Sequence, residues 1–463
     1  MNASTVLTAC FLSILATRAV GAQSAPIADF REWARAHAHP ISVNDRDSGS
    51  ASLAPLAKLI GTARVVALGE PFHGAHEPLA ARNRVIRYLV TQQGFSAVAL
   101  ETALSTSKRL YDYVLGTSLE TDSAAATAFS YGFGTFPENR ELLRWLRSYN
   151  ASRPISRRVS IYGIDLTGQN FPTAYRSLQA VLTYLDLADA RLGSATRGNF
   201  AEVLPKFRAD RYDTLPQTEK DQITGKINDL VALLGRRRPE LTAATSSADY
   251  EWALRQAVNA AQDDGFLRLL PQGFAAQMSK GFDSIPDDPR VPAMLTMREV
   301  AMADNLKWVL ERSGPRGRVI VFAHDEHVKT HATHPLPRYP WDRGDNLLPA
   351  GIFARSALGD ELVVIGTYFG TAGGFPASNH VLPVNPRTMD GVLGSLDLPE
   401  FLIDLRELPK AGALADWFGE AHETRSGNSG NQVFLIRPTR AYDAILYFGR
   451  LTPSVNPGRT TPN

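Results

Sequence analysis

The stretch Val65–Glu101 most constrains how this chain can fold. It begins with an apolar run, Val65–Leu68, which stops at Gly69 and leads into one short loop with four ionisable residues, namely Glu70, His73, His76 and Glu77. Apolar residues at helical spacing follow, and a second apolar run, Ala97–Leu100, ends on Glu101. This order predicts a strand–loop–helix–strand unit that carries ionisable groups where each strand ends.

Two later stretches repeat this arrangement, RVSIYGID at Arg158–Asp165 and RVIVFAHDEH at Arg318–His327. Because buried-type strands alternate with helices, we expect an α/β fold with a mostly parallel sheet covered by helices on both faces. Ligands of such sheets bind beyond the carboxyl ends of the strands. We therefore predict one shared rim that carries Glu70, His73, Glu101, Asp165 and His324.

Between the third and fourth of these strands the pattern becomes helical, and we interpret about Phe171–Asp288 as a helical insertion or cap within a single domain, residues 23–463. Its predicted helices are Ala174–Ala190, Phe200–Asp210, Thr218–Leu234 and Asp249–Leu270. The insertion either buries one face of the sheet or shapes the access of substrate. The last residues, Arg450–Asn463, contain three prolines and are predicted to form a loose tail.

The amino terminus has the pattern of an export signal over residues 1–22. Val6–Ala16 is mostly apolar, and small residues, Val20 to Ala22, precede Gln23. We expect an exported protein, periplasmic or extracellular, without membrane association once the signal is removed, because this run is too short to span a bilayer well. The single cysteine, Cys10, lies in the signal, so the remaining chain has no thiol for a nucleophile or a zinc site.

Composition and motifs exclude several functions. The net charge of +2 gives no reason to expect nucleic acid as a partner. The sequence has no G-x-S-x-G, no glycine-rich phosphate-binding motif and no H-E-x-x-H. We therefore expect neither a serine-hydrolase elbow nor a nucleotide cofactor, and we predict an enzyme without a cofactor.

His73 is the strongest candidate for a general base, because imidazole titrates near neutral pH. Glu70 precedes it by three residues in the same loop and could orient its ring. In the alternative interpretation, Glu70 caps the following helix and His73 packs within the turn.

Two carboxylates and two arginines have both a structural and a functional interpretation. Glu101 ends an apolar strand and must be paired or solvated, with Arg82 or Arg298 as its partner. Asp165 ends another strand in the same way. The arginines could stabilise an oxyanion, or they could form ordinary ion pairs.

His324 and His327 leave their strand three residues apart, as His73 and His76 leave theirs. Two histidine pairs with Glu70 could form a metal site, but no motif fixes ligand spacing, and we predict no metal. In the preferred interpretation His324 is an acid, a base or a group that polarises the substrate, whereas His327, Asp165 and His76 contact the substrate.

Several separated motifs resemble the erythromycin esterase family from about Ser52 to Phe448: ALGEPFHGAHE, RNRVIRYLVTQQGFSAVALE, ENRELLRWLRSYN, SIYGID, MREVAMADNLKWVLE and VIVFAHDEHV. The resemblance implies an α/β fold with helical additions. It also implies a small-molecule partner, an ester or macrolide lactone, as the substrate. In this reaction a histidine activates water for hydrolysis, without a serine or cysteine nucleophile. Such activity is a form of antibiotic resistance.

The resemblance also assigns roles to individual residues. It implies that His73 is the general base and Glu70 its partner. It also implies that His327 corresponds to a family histidine that lies near the active site and is less essential. The remaining active-site positions are Arg82, Glu101, Arg298 and His324.

Overall fold

The structure is a computed structural model that describes residues 25–42, 51–166, 174–278, 280, 284–285, 287–332, 334–335, 347–376, 381–426 and 432–455. The predicted signal segment, residues 1–22, lies outside the described residues. Within the described ranges, no helix combines the length and the apolar character that crossing a bilayer requires.

The described strands are β1 (Ala38–Pro40), β2 (Val65–Glu70), β3 (Ala97–Ala103), β4 (Ser160–Asp165), β5 (Val319–His324), β6 (His334–Pro335), β7 (Leu362–Ala372), β8 (Glu400–Asp404), β9 (His422–Ser426), β10 (Gln432–Ile436) and β11 (Ala444–Leu451).

The helices before residue 200 are α1 (Ala25–His37), α2 (Ala54–Ile60), α3 (His76–Gln92), α4 (Leu104–Leu115), α5 (Asp122–Ala126), α6 (Pro137–Ala151), α7 (Tyr175–Ala188) and α8 (Ala190–Phe200). Those that follow are α9 (Ala209–Tyr212), α10 (Gln217–Arg236), α11 (Arg238–Ala244), α12 (Ser247–Arg268), α13 (Phe274–Met278), α14 (Arg290–Arg312), α15 (Asp325–Val328), α16 (Ala350–Leu358), α17 (Met389–Gly394), α18 (Ala413–Gly419) and α19 (Pro438–Ala441). Short 3-10 turns include Ser130–Thr135.

The main sheet has eight strands in the order β1-β8-β11-β7-β2-β5-β3-β4. The six consecutive strands from β11 to β4 are parallel to one another. The strand β8 is antiparallel to both of its neighbours, β11 and β1. The predicted α/β fold with a mostly parallel sheet is therefore confirmed. A small antiparallel sheet, β6-β10-β9, was not predicted, because a strand such as HETRS lacks an apolar period.

Helices cover both faces of the sheet, as the alternation of side chains along β2 shows. Val66 and Leu68 pack into one core with residues of α3 and α6. Val65 and Ala67 point to the opposite face and pack into a second core with α14. Every residue of β2 is consequently buried, which explains why its sequence is a continuous apolar run.

A third core holds the helices α7 to α12 together and includes Val291 and Met294 of α14. Within residues 174–278 the structure contains helices and no strand, as the pattern predicted. The helix predicted at Phe200–Asp210 is wrong: α8 ends at Phe200, turns follow, and α9 begins at Ala209. Pro205 lies in the turns, where its ring and missing N–H disfavour a continuous helix.

The carboxyl-terminal segment differs from the prediction of a loose tail. Arg450 and Leu451 complete β11 by pairing with Thr371 and Ala372 of β7. The next residues, Thr452–Ser454, form hydrogen bonds with the loop before α3 and with that helix's first turn. The prediction is wrong for these five residues, and residues 456–463 lie outside the described part of the chain.

Candidate active site

The ionisable residues at the ends of four neighbouring parallel strands lie at one edge of the sheet. Glu70 ends β2 directly opposite His324, which ends β5. Glu101 follows Leu100 of β3, the register partner of Phe322 in β5. Asp165 ends β4 beside Ala103 of β3.

His73 lies in the loop between β2 and α3, and its ring is held by Glu70. Its Nδ1 is 2.8 Å from Glu70 Oε2. Its Nε2 is 3.9 Å from Glu101 Oε1, and its side chain is 16% exposed. The amino-terminal cap of α3 is Ala75, so the alternative in which Glu70 caps this helix is wrong.

The environment of His73 favours its protonated form more than water does. Burial alone lowers the pKa of the imidazole, but the negative charges of Glu101 and Glu70 outweigh burial and raise the pKa above its ordinary value. A histidine with this environment binds a proton readily, as a general base must.

Glu101 is the centre of the charged cluster. Its Oε2 accepts a hydrogen bond of 2.8 Å from the backbone N–H of His324. Its Oε1 accepts one of 3.2 Å from Arg298 Nη2 and lies 3.3 Å from His327 Nε2. Although burial disfavours the charge, His327 and His73 hold the pKa of Glu101 well below its usual range, so this carboxylate is an anion.

Arg298 forms a two-pronged ion pair with Asp165. Its Nε and Nη2 donate to the two Asp165 oxygens at 2.8 and 2.7 Å. Nη2 also donates to the Tyr131 hydroxyl at 3.1 Å, and that hydroxyl donates to Asp165 at 2.6 Å. Of the two arginines that could pair with Glu101, Arg298 is the one that does so. The Arg298–Glu101 pair is buried and also belongs to the rim.

Tyr131 was not among the predicted site residues. It has φ of 59°, a backbone conformation that a non-glycine residue rarely adopts. The sequence signal was indirect, since Tyr131 begins a glycine- and aromatic-rich loop, YGFGTFP. Backbone strain of this kind clusters at functional sites.

His327 forms a second histidine–carboxylate pair, with Glu299. The Nδ1 of His327 lies 2.7 and 2.9 Å from the two Glu299 oxygens. Burial opposes a charge here, but Glu299 and Glu101 raise the pKa of His327 to about 10. His327 is therefore a cation at neutral pH. Glu299 was also missed, because within a helical pattern it resembles any polar position.

His324 has the opposite protonation state. Burial, together with the positive charge on His73, lowers the pKa of His324 to about 3. Its Nδ1 accepts a hydrogen bond of 3.1 Å from the backbone N–H of Glu326. In the neutral ring the proton must then lie on Nε2, which makes that atom a hydrogen-bond donor. The rings of His324 and His73 lie 5.0 Å apart.

Arg82 lines a cavity beside these groups. Its guanidinium donates to Asn83 Oδ1 at 2.8 and 3.1 Å and stacks over Phe322 at 4.8 Å. Burial lowers the pKa of Arg82 to about 10. The empty volume of this cavity is about 340 Å³, a figure that includes the solvent at its open mouth. Its other lining residues include Glu70, Glu101, Phe129, Phe133, Phe136 and Asn139.

Two buried oxygens of the cavity wall, Glu70 Oε1 and Asn139 Oδ1, have no hydrogen-bond partner among the described residues. Buried polar atoms are normally satisfied, so these two oxygens are unusual acceptors within the site.

His76 lies in a different set of contacts. Its Nδ1 is 2.5 Å from Glu138 Oε1, and its side chain is 39% exposed. The other oxygen of Glu138 accepts a hydrogen bond from the Ser454 hydroxyl. The structure therefore joins His73, Glu70, Glu101, His324, His327, Arg298 and Asp165 in one cluster, with Arg82 in the adjoining cavity, and places His76 beside the carboxyl-terminal segment. Their assignment to catalysis and substrate binding stays a prediction.

No group of three or more His, Cys, Asp or Glu side chains in the described ranges is arranged to hold a metal ion. The groups that are present offer acid–base and electrostatic chemistry instead. His73 can accept a proton, Arg298 and His327 supply positive charge, and neutral His324 can donate a hydrogen bond.

The sequence matches the model of a known family. The profile of the erythromycin esterase family matches residues 90–451. Among curated proteins, the erythromycin esterase type II of Escherichia coli is 24% identical over 344 residues, which cover 73% of this chain and 76% of the relative.

Solved structures share the fold over nearly the whole chain. A Bacillus cereus protein superposes with a TM-score of 0.75 at 23% identity and covers 92% of this chain and 98% of its own. A mutant of the erythromycin esterase EreC in its open conformation superposes with a TM-score of 0.65 at 16% identity, over 92% of this chain and 99% of its own. At these identities the likeness shows the fold alone.

Proposed function

Because this chain belongs to the erythromycin esterase family, and is thereby a hydrolase of that family, we propose that it hydrolyses a macrolide lactone or a related carboxylic ester with water activated by His73. The observation that carries this proposal is the placement of His73, with Nδ1 on Glu70 and Nε2 3.9 Å from Glu101 Oε1. A water molecule can hydrogen-bond to both of these atoms at once, because the gap between them suits a bridging oxygen.

In the proposed reaction, the water oxygen attacks the carbonyl carbon while Nε2 of His73 takes one of its protons. The negative charge that develops on the carbonyl oxygen is stabilised by Arg298 or Arg82, with the Nε2–H of His324 as a further donor. The bond to the alcohol oxygen then breaks, and His73 returns its proton to that oxygen. The products are a carboxylic acid and an alcohol, with no covalent acyl-enzyme.

Glu70 and Glu101 support this cycle without reacting. Glu70 holds the Nδ1 side of the ring and leaves Nε2 for water, as a carboxylate does in other catalytic histidine pairs. Glu101 holds Arg298 and His327 in place and stabilises the imidazolium that forms on His73. Asp165 acts through Arg298, which donates to both of its oxygens, and His327 lies at the rim beside Glu101.

The substrate class rests on the family. A lactone ester opened by water gains the mass of one water molecule, which makes the reaction easy to detect. The amino-terminal pattern supports the further proposal that this reaction takes place outside the cytoplasm, in the periplasm or the medium.

The test is incubation of the purified protein with a panel of macrolides and simple lactones, followed by mass spectrometry. We expect at least one compound to gain one water, the same yield after treatment with a chelator, and no gain with His73→Ala. Tight binding without product would instead indicate a ligand-binding protein. Activity that is lost with chelator and restored by a divalent metal would contradict hydrolysis by His73 alone.

A further inference from the structure

We propose that the carboxyl-terminal segment Leu451–Ser454 positions the loop that carries His73. The loop is defined here as residues 71–75, between β2 and α3. This inference rests on the proposed function, because it concerns the geometry of the general base.

Backbone contacts connect the segment to the loop on the carboxyl side of His73. The N–H of Ser454 donates to the carbonyl of Gly74 at 2.8 Å. Pro453 forms an isolated antiparallel bridge with Ala75. The N–H of His76 donates to the carbonyl of Thr452 at 2.8 Å. The chain that follows His73 is thus paired with the segment as a short strand would be.

Side chains of the neighbouring helices add to these contacts. The carboxylate of Glu77, in the first turn of α3, accepts from the N–H of Thr452 at 2.8 Å and from its hydroxyl at 2.7 Å. The Ser454 hydroxyl donates to Glu138, the carboxylate that also contacts His76. Glu77 and Glu138 are only 9% and 5% exposed, so their hydrogen bonds to the segment compete little with water.

The segment itself is fixed by the centre of the sheet. Leu451 ends β11, which pairs with β7 in parallel register from Ala444 to Leu451, and β7 pairs with β2. The strands β11 and β2 both end at the carboxyl edge of the sheet. The segment that follows β11 therefore contacts the loop that follows β2 at this shared edge. Loops are normally the mobile parts of a fold, and such a connection restricts them.

The loop also packs against aromatic rings. The His73 ring lies 4.9 Å from the ring of Phe133. A Cβ atom added to Gly74 would come within 3.0 Å of the Phe136 ring, which shows how closely the loop and the aromatic residues approach. The loop therefore contacts both these rings and the segment, and together these contacts position the His73 ring.

The test uses Thr452→Val and Ser454→Ala, together and singly, because both remove hydroxyl donors without adding bulk. The control Thr196→Val removes a similar hydroxyl hydrogen bond, to Leu192, inside the helical cap. Thr452→Ser keeps the donor to Glu77 and serves as the conservative variant. Readouts are kcat, KM, thermal unfolding, and titration of ¹⁵N-labelled histidine by NMR, with the His73 signal assigned by its loss in His73→Ala.

In the double variant we expect kcat to fall about tenfold with KM changed less than about twofold, because small misplacements of a reacting group are costly. The titration midpoint of His73 should also move. Thr452→Ser and Thr196→Val should retain the kcat and the His73 titration of the unaltered protein. An unaltered kcat and an unaltered His73 titration in the double variant would overturn the proposal. If the unaltered protein hydrolyses nothing, the proposed function fails, but the NMR titration still decides whether the segment positions His73.

Discussion

At the scale of single residues, the site is organised around one carboxylate. Glu101 Oε1 lies 3.2 Å from Arg298, 3.3 Å from His327 and 3.9 Å from His73. Each of these groups also has a carboxylate of its own, namely Asp165, Glu299 and Glu70. Each basic group therefore contacts two carboxylates, its own and the shared Glu101, and these contacts are what allow several ions to remain buried together.

The first prediction concerns pH. His73 must be neutral to accept a proton, and its pKa is raised by Glu101 and Glu70 against the effect of burial. We expect kcat/KM to increase with pH through a midpoint above 6.5, the ordinary value for histidine. Glu70→Gln removes one negative charge and should lower both the midpoint and the rate. A midpoint that stays in place in Glu70→Gln would contradict the role of Glu70.

The second prediction concerns Tyr131, whose hydroxyl bridges Arg298 and Asp165. Tyr131→Phe leaves the ring and removes that bridge, so we expect kcat/KM to fall about tenfold, the loss of about 1.4 kcal/mol of transition-state stabilisation. The comparison is Tyr184→Phe, which removes a hydroxyl that bonds to Leu241 in the helical cap. Equal kinetics in the two variants would show that the Tyr131 hydroxyl does not position Arg298.

At the scale of elements, the sequence predicted the strands of the rim better than the helices behind it. A strand that ends on an acid or an imidazole after an apolar run is a local pattern, and Glu70, Glu101 and His324 were found in this way. Glu299 and Tyr131 were missed, because their partners are remote in sequence: Glu299 pairs with His327 and Tyr131 with Asp165. The contacts of Thr452–Ser454 were missed for the same reason.

The third prediction tests how closely β2 and α15 approach. A Cβ atom at Gly69 would lie 1.7 Å from Asp325 Oδ1, and Asp325 is itself buried with hydrogen bonds to the backbone of Thr367. We expect Gly69→Ala to lower the free energy of unfolding by about 3 kcal/mol, measured by denaturant titration. Gly225→Ala, in α10 with open space around the added Cβ, should raise it by about 0.5–1 kcal/mol. Equal stability of the two variants would contradict the packing.

At the scale of the whole molecule, α14 connects the helical cap to the site. Val291 and Met294 belong to the core of the cap, whereas Met302 and Leu306 pack under the sheet. Between them lies Arg298, which bonds to Asp165. The sequence predicted the sheet and the helical character of the cap. It did not predict that one helix is shared by both, because an apolar stripe does not specify its partner.

The fourth prediction follows from this sharing. Met294 and Leu182 are both fully buried in the cap core, and truncation of either to alanine should lower the free energy of unfolding by about 3 kcal/mol. Met294→Ala should also reduce kcat, because it loosens the helix that carries Arg298, whereas Leu182→Ala should leave kcat within about twofold. Equal effects of the two substitutions on kcat would show that loosening α14 at Met294 does not disturb Arg298.

The central claim is that His73 activates water. Its most direct test is kcat/KM of His73→Ala on an ester identified in the macrolide and lactone panel, with circular dichroism to confirm the fold and His37→Ala as the matched histidine control. We expect a loss of about 10²–10⁴-fold for His73→Ala and less than about twofold for His37→Ala. Turnover by folded His73→Ala at the rate of the unaltered protein would contradict the claim.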